Sequence, residues 1–102
     1  MSDDLINDEE LDAQYRAMID GFIDQANKHA ENTSPENVGM ALLFAASRFN
    51  SFVVSQHAES LPAFEKDLGK ARSFFSTQYL KMLDENLEDY KKTYEKYHRF
   101  TN

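Results

Sequence analysis

The pair of residues with the most recognisable chemical spacing is Glu95 and His98, near the end of the chain. On a helix, residues three positions apart point to the same side, and ferritin-like di-metal sites use such Glu-x-x-His pairs. Those sites need two pairs and two further carboxylates, whereas this sequence has one pair. An ordinary surface pair is the favoured interpretation, and we expect no metal and no cofactor.

A second group that could perform chemistry consists of four carboxylates: Asp84, Glu85, Glu88 and Asp89. Paired carboxylates act as acid and base when burial separates their pKa values. Lysines lie four positions from Glu85 and from Glu88, which offsets the repulsion on a solvated helix face. The three histidines are far apart in sequence and define no nucleophile–base arrangement. We therefore predict no catalytic residue.

Arg48 and Asn50 interrupt the most apolar part of the chain. A buried arginine without a partner costs several kcal/mol, so it must be paired or face the surface. Three interpretations remain open: a buried ion pair that fixes the register of a helical bundle, an anion site, or a residue at the rim of an interface. The anion site would be a pocket between helices, with Tyr90 or His57 as further lining residues.

Composition restricts the class of protein. The 102 residues are 41% hydrophobic and 13% aromatic, as in a globular chain of one domain, and contain no cysteine. The net charge of −7 disfavours nucleic-acid binding. The first 12 residues are acidic and do not resemble a secretory leader. The longest apolar block, Val38–Ala46, is shorter than the roughly 20 residues of a membrane span, so we expect a cytoplasmic protein that binds no membrane.

Two prolines divide the chain into three helices. Ser34-Pro35 and Ser60-Leu61-Pro62 each place a capping serine directly before a helix that begins with a proline in its first turn. The predicted helices are Asp8–Glu31, Pro35–His57, and a third that starts near Leu61 and runs towards Phe100. Isolated glycines inside them, at positions 21, 39 and 69, indicate close approach of neighbouring helices.

The second predicted helix is apolar on two faces. One stripe is Val38, Ala41, Leu42, Ala45, Phe49, Phe52 and Val53, and the other is Met40, Leu43 and Val54 with small Ser47 and Ser51 between them. A helix that is apolar on two faces needs cover on both. In a three-helix bundle, one of these faces would meet water.

The third helix changes its apolar row after Met82. The row moves by one position to Leu87, Tyr90, Tyr94 and Tyr97, which indicates a kink, a break or a new packing partner near Asp84–Asn86. Because no proline or glycine lies there, a continuous helix is favoured. Its aromatic end would extend beyond the bundle and must fold back or contact another chain. The candidate interface is therefore Met40, Leu43, Val54, Leu87, Tyr94 and Tyr97.

Two stretches resemble a family of short bacterial proteins of unknown function. The first is the run Ala45-Ala46-Ser47-Arg48-Phe49-Asn50, and the second is the Met-Leu-x-x-Asn-Leu-x-x-Tyr run of residues 82–90. The resemblance covers roughly Asp12 to Tyr97. It implies a bacterial, cytoplasmic, helical protein and transfers no catalytic residue. The polar members of the two motifs, Arg48, Asn50, Asn86 and Tyr90, form the candidate polar site.

These observations predict an all-α protein: an antiparallel bundle of three main helices, with a short fourth helix possible after Asn86. The domain would comprise residues 1–102, with residues 1–7 as a disordered acidic tail. The predicted function is a non-catalytic interaction module that self-associates, as a homodimer. The alternative is a small-ligand or anion-binding protein with a pocket around Arg48 and Asn50.

Overall fold

A computed structural model describes residues 8–98, and the side chains of residues 9–96. In this part of the chain the protein is all-α, with no strand. The elements, in chain order, are α1 (Asp8–His29), α2 (Pro35–His57), α3 (Leu61–Lys92) and α4 (Tyr94–His98). The predicted class, three main helices and a short fourth, is confirmed.

Serine caps begin α2 and α3, as the sequence predicts. The backbone N–H of Asn37 donates to Ser34 Oγ at 3.1 Å, and that of Ala63 donates to Ser60 Oγ at 3.2 Å. Each bond satisfies one of the backbone donors that a helix start leaves without a partner. Pro35 and Pro62 lie in the first turns, where a missing N–H costs nothing.

Two helix ends differ from the predictions. The α1 helix ends at His29 rather than at Glu31. After it, the backbone bonds span three residues instead of four, from Glu31 N to Lys28 O and from Asn32 N to His29 O. At the other end of the chain, α3 stops at Lys92 instead of continuing towards Phe100. The helix ends at Thr93, whose backbone angles (φ −109°, ψ 13°) depart from helical values, while its N–H and its hydroxyl still donate to Asp89 O at 3.1 and 3.0 Å.

The α3 helix is continuous through the segment where the apolar row shifts. No break occurs at Asp84–Asn86, which confirms the favoured interpretation. Exposure changes there instead: Phe64, Ala71, Phe75 and Leu83 are half-buried, whereas every side chain from residue 84 to residue 92 is exposed. The shift therefore coincides with the end of the partly covered part of α3.

The chain forms two compact units that divide between Phe52 and Val53. The first contains α1 and most of α2, and the second contains the end of α2 with α3 and α4. The expectation of one domain over residues 1–102 stays a prediction, and the proposed acidic tail at residues 1–7 lies outside the described residues.

Neither unit buries a hydrophobic core of its own among the described residues. No described side chain is buried, whether apolar or polar. The most covered apolar side chains are only half-buried, and they are mainly small or β-branched residues such as Ala26, Val38 and Ala71. The large apolar side chains of α1 and α2, which the sequence assigns to a core, are mostly exposed.

The glycines do not have the role that the sequence predicts. A Cβ atom added at Gly21, Gly39 or Gly69 would meet nothing within 4 Å. Among the described residues no other helix approaches closely at these positions, so the prediction of close helix–helix contact there is wrong. Each glycine still lowers helix propensity by about 1 kcal/mol relative to alanine, and nothing in the chain uses the space it leaves.

Candidate functional site

The first unit contains an apolar cleft of about 470 Å³ between α1 and α2. Its lining is Phe22, Gln25, Ala26, His29, Thr33, Asn37, Val38, Ala41, Leu42 and Ala45. Residues late in α1 and early in α2 share the cleft, which is consistent with the predicted antiparallel arrangement of these two helices. The α2 side of the cleft is the first half of the first apolar stripe.

Small side chains create this cleft. Ala26, late in α1, and Ala41 and Ala45, in the first half of α2, line it, where larger residues would fill the space between the helices. A cavity at these residues was not predicted from the sequence. Three alanines line the cleft, but the spacing of residues in a sequence does not show how much space remains beside them.

The end of the cleft nearest the α1–α2 connection is polar. Gln25 Nε2 lies 3.2 Å from His29 Nε2, and Asn37 Nδ2 donates to Thr33 Oγ1 at 3.0 Å. All four side chains are exposed. This end offers hydrogen-bonding groups beside an apolar floor, which is the general composition of a small-molecule site.

The second apolar face of α2 points away from the cleft. None of Met40, Leu43 and Val54 lines it. Met40 is 67% exposed and Leu43 is 41% exposed, while Val54 is half-buried. In the isolated chain this face is therefore largely open to solvent, as the sequence analysis anticipated for one of the two faces.

The candidate polar site of Arg48, Asn50, Asn86 and Tyr90 is not part of the cleft. Arg48 is exposed and Asn50 is half-buried on α2. Arg48 forms no ion pair with another residue that the structure describes, and an exposed arginine needs none. A pocket around Arg48 and Asn50 stays a prediction.

The other two members of that site lie on α3. Asn86 donates from its side-chain amide to Met82 O at 2.9 Å, within its own helix. Tyr90 is exposed, one turn further along. Asn86 therefore has a local partner that the sequence analysis did not foresee.

Three other residues of the predicted interface belong to the end of α3 and to α4. Leu87 is 59% exposed and Tyr94 is 62% exposed. The side chain of Tyr97 lies outside the described ones. The described members of this group are thus accessible to a partner.

The carboxylate cluster lies on a solvated face. Lys91 Nζ lies 3.8 Å from Glu88 Oε2, and both side chains are more than half exposed. This pair has i,i+3 spacing, rather than the i,i+4 spacing proposed from the sequence. Among the described residues, no three His, Asp or Glu side chains are grouped as metal ligands. Glu95 is exposed in α4, and the side chain of His98 lies outside the described ones.

One described helix could cross a membrane by length and composition alone. It is α2, which has 23 residues and a mean hydropathy of 1.4 over its most apolar window. The apolar core helix of a soluble protein meets the same criterion, so the observation is weak. It does show that the apolar part of α2 extends over an 18-residue window, beyond the block Val38–Ala46.

Comparison with known proteins identifies the family. The chain belongs to a family of proteins of unknown function, DUF3144, whose model matches residues 15–91. The match covers α2 entirely, α1 from Tyr15 onwards and all of α3 except its last residue. No curated protein and no solved structure matches the chain.

Proposed function

We propose that this member of the DUF3144 family is a non-catalytic helical module that self-associates, as a homodimer in the cytoplasm. One observation carries the proposal: no described side chain is buried, although 21 large apolar side chains are between 39% and 68% exposed. Twenty of them lie on α1, α2 and α3 and one lies on α4, and exposed apolar surface on this scale marks an interaction site.

The free energy available from burying these side chains is large compared with the stability of a small domain. Full burial of a large apolar side chain contributes about 1.5–3 kcal/mol. Twenty-one side chains that remain about half exposed therefore leave on the order of 20 kcal/mol of apolar burial unrealised in the single chain. Natural domains are stable by about 5–15 kcal/mol in total, so covering this surface would dominate the energetics of the native state.

A second copy is the partner favoured by the chain's chemistry. The apolar stripes run along helices that are 22, 23 and 32 residues long, which suits helix-on-helix packing. A net charge of −7 repels anionic lipid surfaces and nucleic acids. Most stable assemblies of soluble chains are symmetric homo-oligomers.

Sedimentation velocity tests the proposal with a matched pair of α2 variants. Leu43→Glu adds one negative charge to the second apolar face, and Gln56→Glu adds the same charge elsewhere on the same helix. We expect wild type and Gln56→Glu to sediment as a dimer and Leu43→Glu to sediment as a helical monomer. A wild-type chain that stays monomeric up to hundreds of micromolar would contradict the proposal.

The cleft between α1 and α2 supports a second candidate, the binding of a small amphipathic molecule. Its apolar floor would hold a hydrocarbon chain, and the Gln25–His29 and Thr33–Asn37 groups at its end would bind a polar head. This site differs from the predicted pocket around Arg48 and Asn50. We expect decanoate, used as the probe, to shift the NMR signals of Ala41 and Ala45, and Ala41→Phe to abolish those shifts. Unchanged spectra at millimolar decanoate would eliminate this candidate.

A further inference from the structure

The second face of α2 has a regular pattern along the whole helix. Its positions alternate steps of four and three residues, the spacing of a helix seam that packs against another helix. In order they are Glu36, Met40, Leu43, Ser47, Asn50, Val54 and His57; this set is named the 36–57 face. None of these residues lines the cleft between α1 and α2. Asn50 and Val54 are half-buried, and the other five are exposed.

The two ends of the 36–57 face are chemically complementary. Glu36 lies in the first turn of α2 and His57 lies in its last turn, and both are exposed. The middle of the face is Ser47, the smallest side chain in the set. Met40 and Val54 lie equally far from Ser47 along the sequence, one on each side. The pattern is therefore almost symmetric about Ser47.

We propose that the 36–57 face packs antiparallel against the same face of a second copy, with a two-fold axis at Ser47. This inference rests on the proposed self-association and specifies its interface. Under that axis Met40 meets Val54 of the second copy, and Leu43 meets the region of Asn50. The two exposed apolar residues of the face, Met40 and Leu43, are then covered in both copies.

Charge favours the antiparallel direction. The axis places the Glu36 carboxylate of each copy beside the His57 imidazole of the other, and a ring N–H can donate to a carboxylate. A parallel arrangement would instead place Glu36 against Glu36. Opposed helix directions also bring the positive N-terminal end of each dipole to the negative C-terminal end of the other.

The polar residues in the middle of the face fit the same arrangement. A serine at the axis allows the two helices to approach closely, since its side chain is short. Asn50 lies one turn from Ser47 and carries both a donor and an acceptor, so its amide can bond to the Ser47 hydroxyl of the second copy. A single polar residue in such a seam fixes its register, as a buried asparagine does in coiled coils.

The absence of cysteine from the sequence makes cross-linking a direct test in the full chain. We expect Ser47→Cys to form a disulfide-linked dimer with itself. Met40→Cys and Val54→Cys should cross-link to each other when the two variants are mixed, and much less to themselves. Gln56→Cys, on the other side of α2, is the control that should not cross-link.

Three results would overturn the inference. Self-linking of Met40→Cys and Val54→Cys without the mixed product would show a parallel pair. No cross-link at any position on the 36–57 face, with a dimeric mass in solution, would place the interface elsewhere and leave the proposed function intact. A monomeric wild-type mass would remove the proposed function together with this interface.

A charge exchange provides a second measurement that does not depend on cysteine. Glu36→Lys should weaken dimerisation roughly 3- to 30-fold, because the symmetric interface contains the pair twice. The double variant Glu36→Lys/His57→Glu restores opposite charges and should recover most of the lost affinity. Equal weakening in the single and double variants would exclude the antiparallel pairing of these two residues.

Discussion

The side-chain amide of Asn86 donates to the backbone carbonyl of Met82 at 2.9 Å, one turn earlier in α3. Both residues belong to the second of the two sequence motifs, and this bond gives a physical reason for their spacing of four. It also means that Asn86 is satisfied within its own helix. Its position in the motif thus has a local structural explanation that does not require a ligand.

Replacement of Asn86 tests that explanation. Asn86→Ala loses a bond with a net value of about 1 kcal/mol but gains helix propensity of about half that amount. We expect the free energy of unfolding to change by less than about 1 kcal/mol, and self-association to stay the same. The measurement is urea unfolding at one fixed protein concentration, since assembly makes stability depend on concentration.

The matched control is Asn86→Asp, which keeps the shape of the side chain. It removes the donor and adds a negative charge beside Asp84, Glu85, Asp89 and their neighbours. We expect it to destabilise the protein more than Asn86→Ala does. If Asn86→Ala instead changed the mass in solution, Asn86 would have a role between chains.

The serine cap of α3 gives a second prediction. Ser60→Ala removes the acceptor of the Ala63 N–H and should lower the free energy of unfolding by about 1 kcal/mol, the usual value of an N-cap. Ser73→Ala, at an exposed position inside α3, should be neutral or slightly stabilising. Equal effects of the two substitutions would show that the cap contributes nothing.

Helix starts could be predicted from the sequence because their causes are local. Ser34 and Ser60 accept from backbone N–H groups three residues later, and Pro35 and Pro62 fit a first helical turn. The α2 helix was predicted with both of its observed bounds. The end of α3 was missed because no residue type marks it: the backbone of Thr93 leaves the helical angles (φ −109°, ψ 13°), whereas a threonine hydroxyl bonded to the carbonyl four residues earlier also occurs inside helices. The predicted helix was therefore too long, because no residue between Lys92 and Phe100 is a helix breaker such as proline or glycine.

The site could be predicted only in part, for a different reason. Exposure of Met40, Leu43 and Leu87 was predicted because the helices have more apolar faces than one chain can cover, and this excess can be counted in the sequence. The cleft depends on how far α1 and α2 stand apart at Ala26 and Ala41, which periodicity does not specify. The glycines were misassigned for the same reason, since spacing alone does not identify a neighbour.

Removal of the α3 stop gives a third prediction. Thr93→Ala deletes the hydroxyl bond to Asp89 O and introduces the residue with the highest helix propensity. We expect α3 and α4 to join, so that the Cα chemical shifts of residues 90–96 become fully helical. Thr77→Ala, inside α3, should leave those shifts unchanged. Persistence of the turn in Thr93→Ala would mean that another residue sets it.

Vesicle flotation distinguishes self-association from membrane binding. Although α2 is long and apolar enough to cross a membrane, the acidic chain should be repelled by anionic vesicles. We expect the purified protein to stay in the soluble fraction with vesicles of phosphatidylcholine and phosphatidylglycerol, at low and at high salt. Stable flotation at high salt would mean that lipid, and not a second copy, covers the apolar face of α2.

Light scattering coupled to size-exclusion chromatography of the wild-type protein, over a range of concentrations, tests the central claim most directly. Self-association of the exposed apolar surface predicts a mass of twice the 11.8 kDa of one chain, with dissociation only on dilution. A mass equal to one chain at every concentration, together with a helical circular dichroism spectrum, would contradict the account.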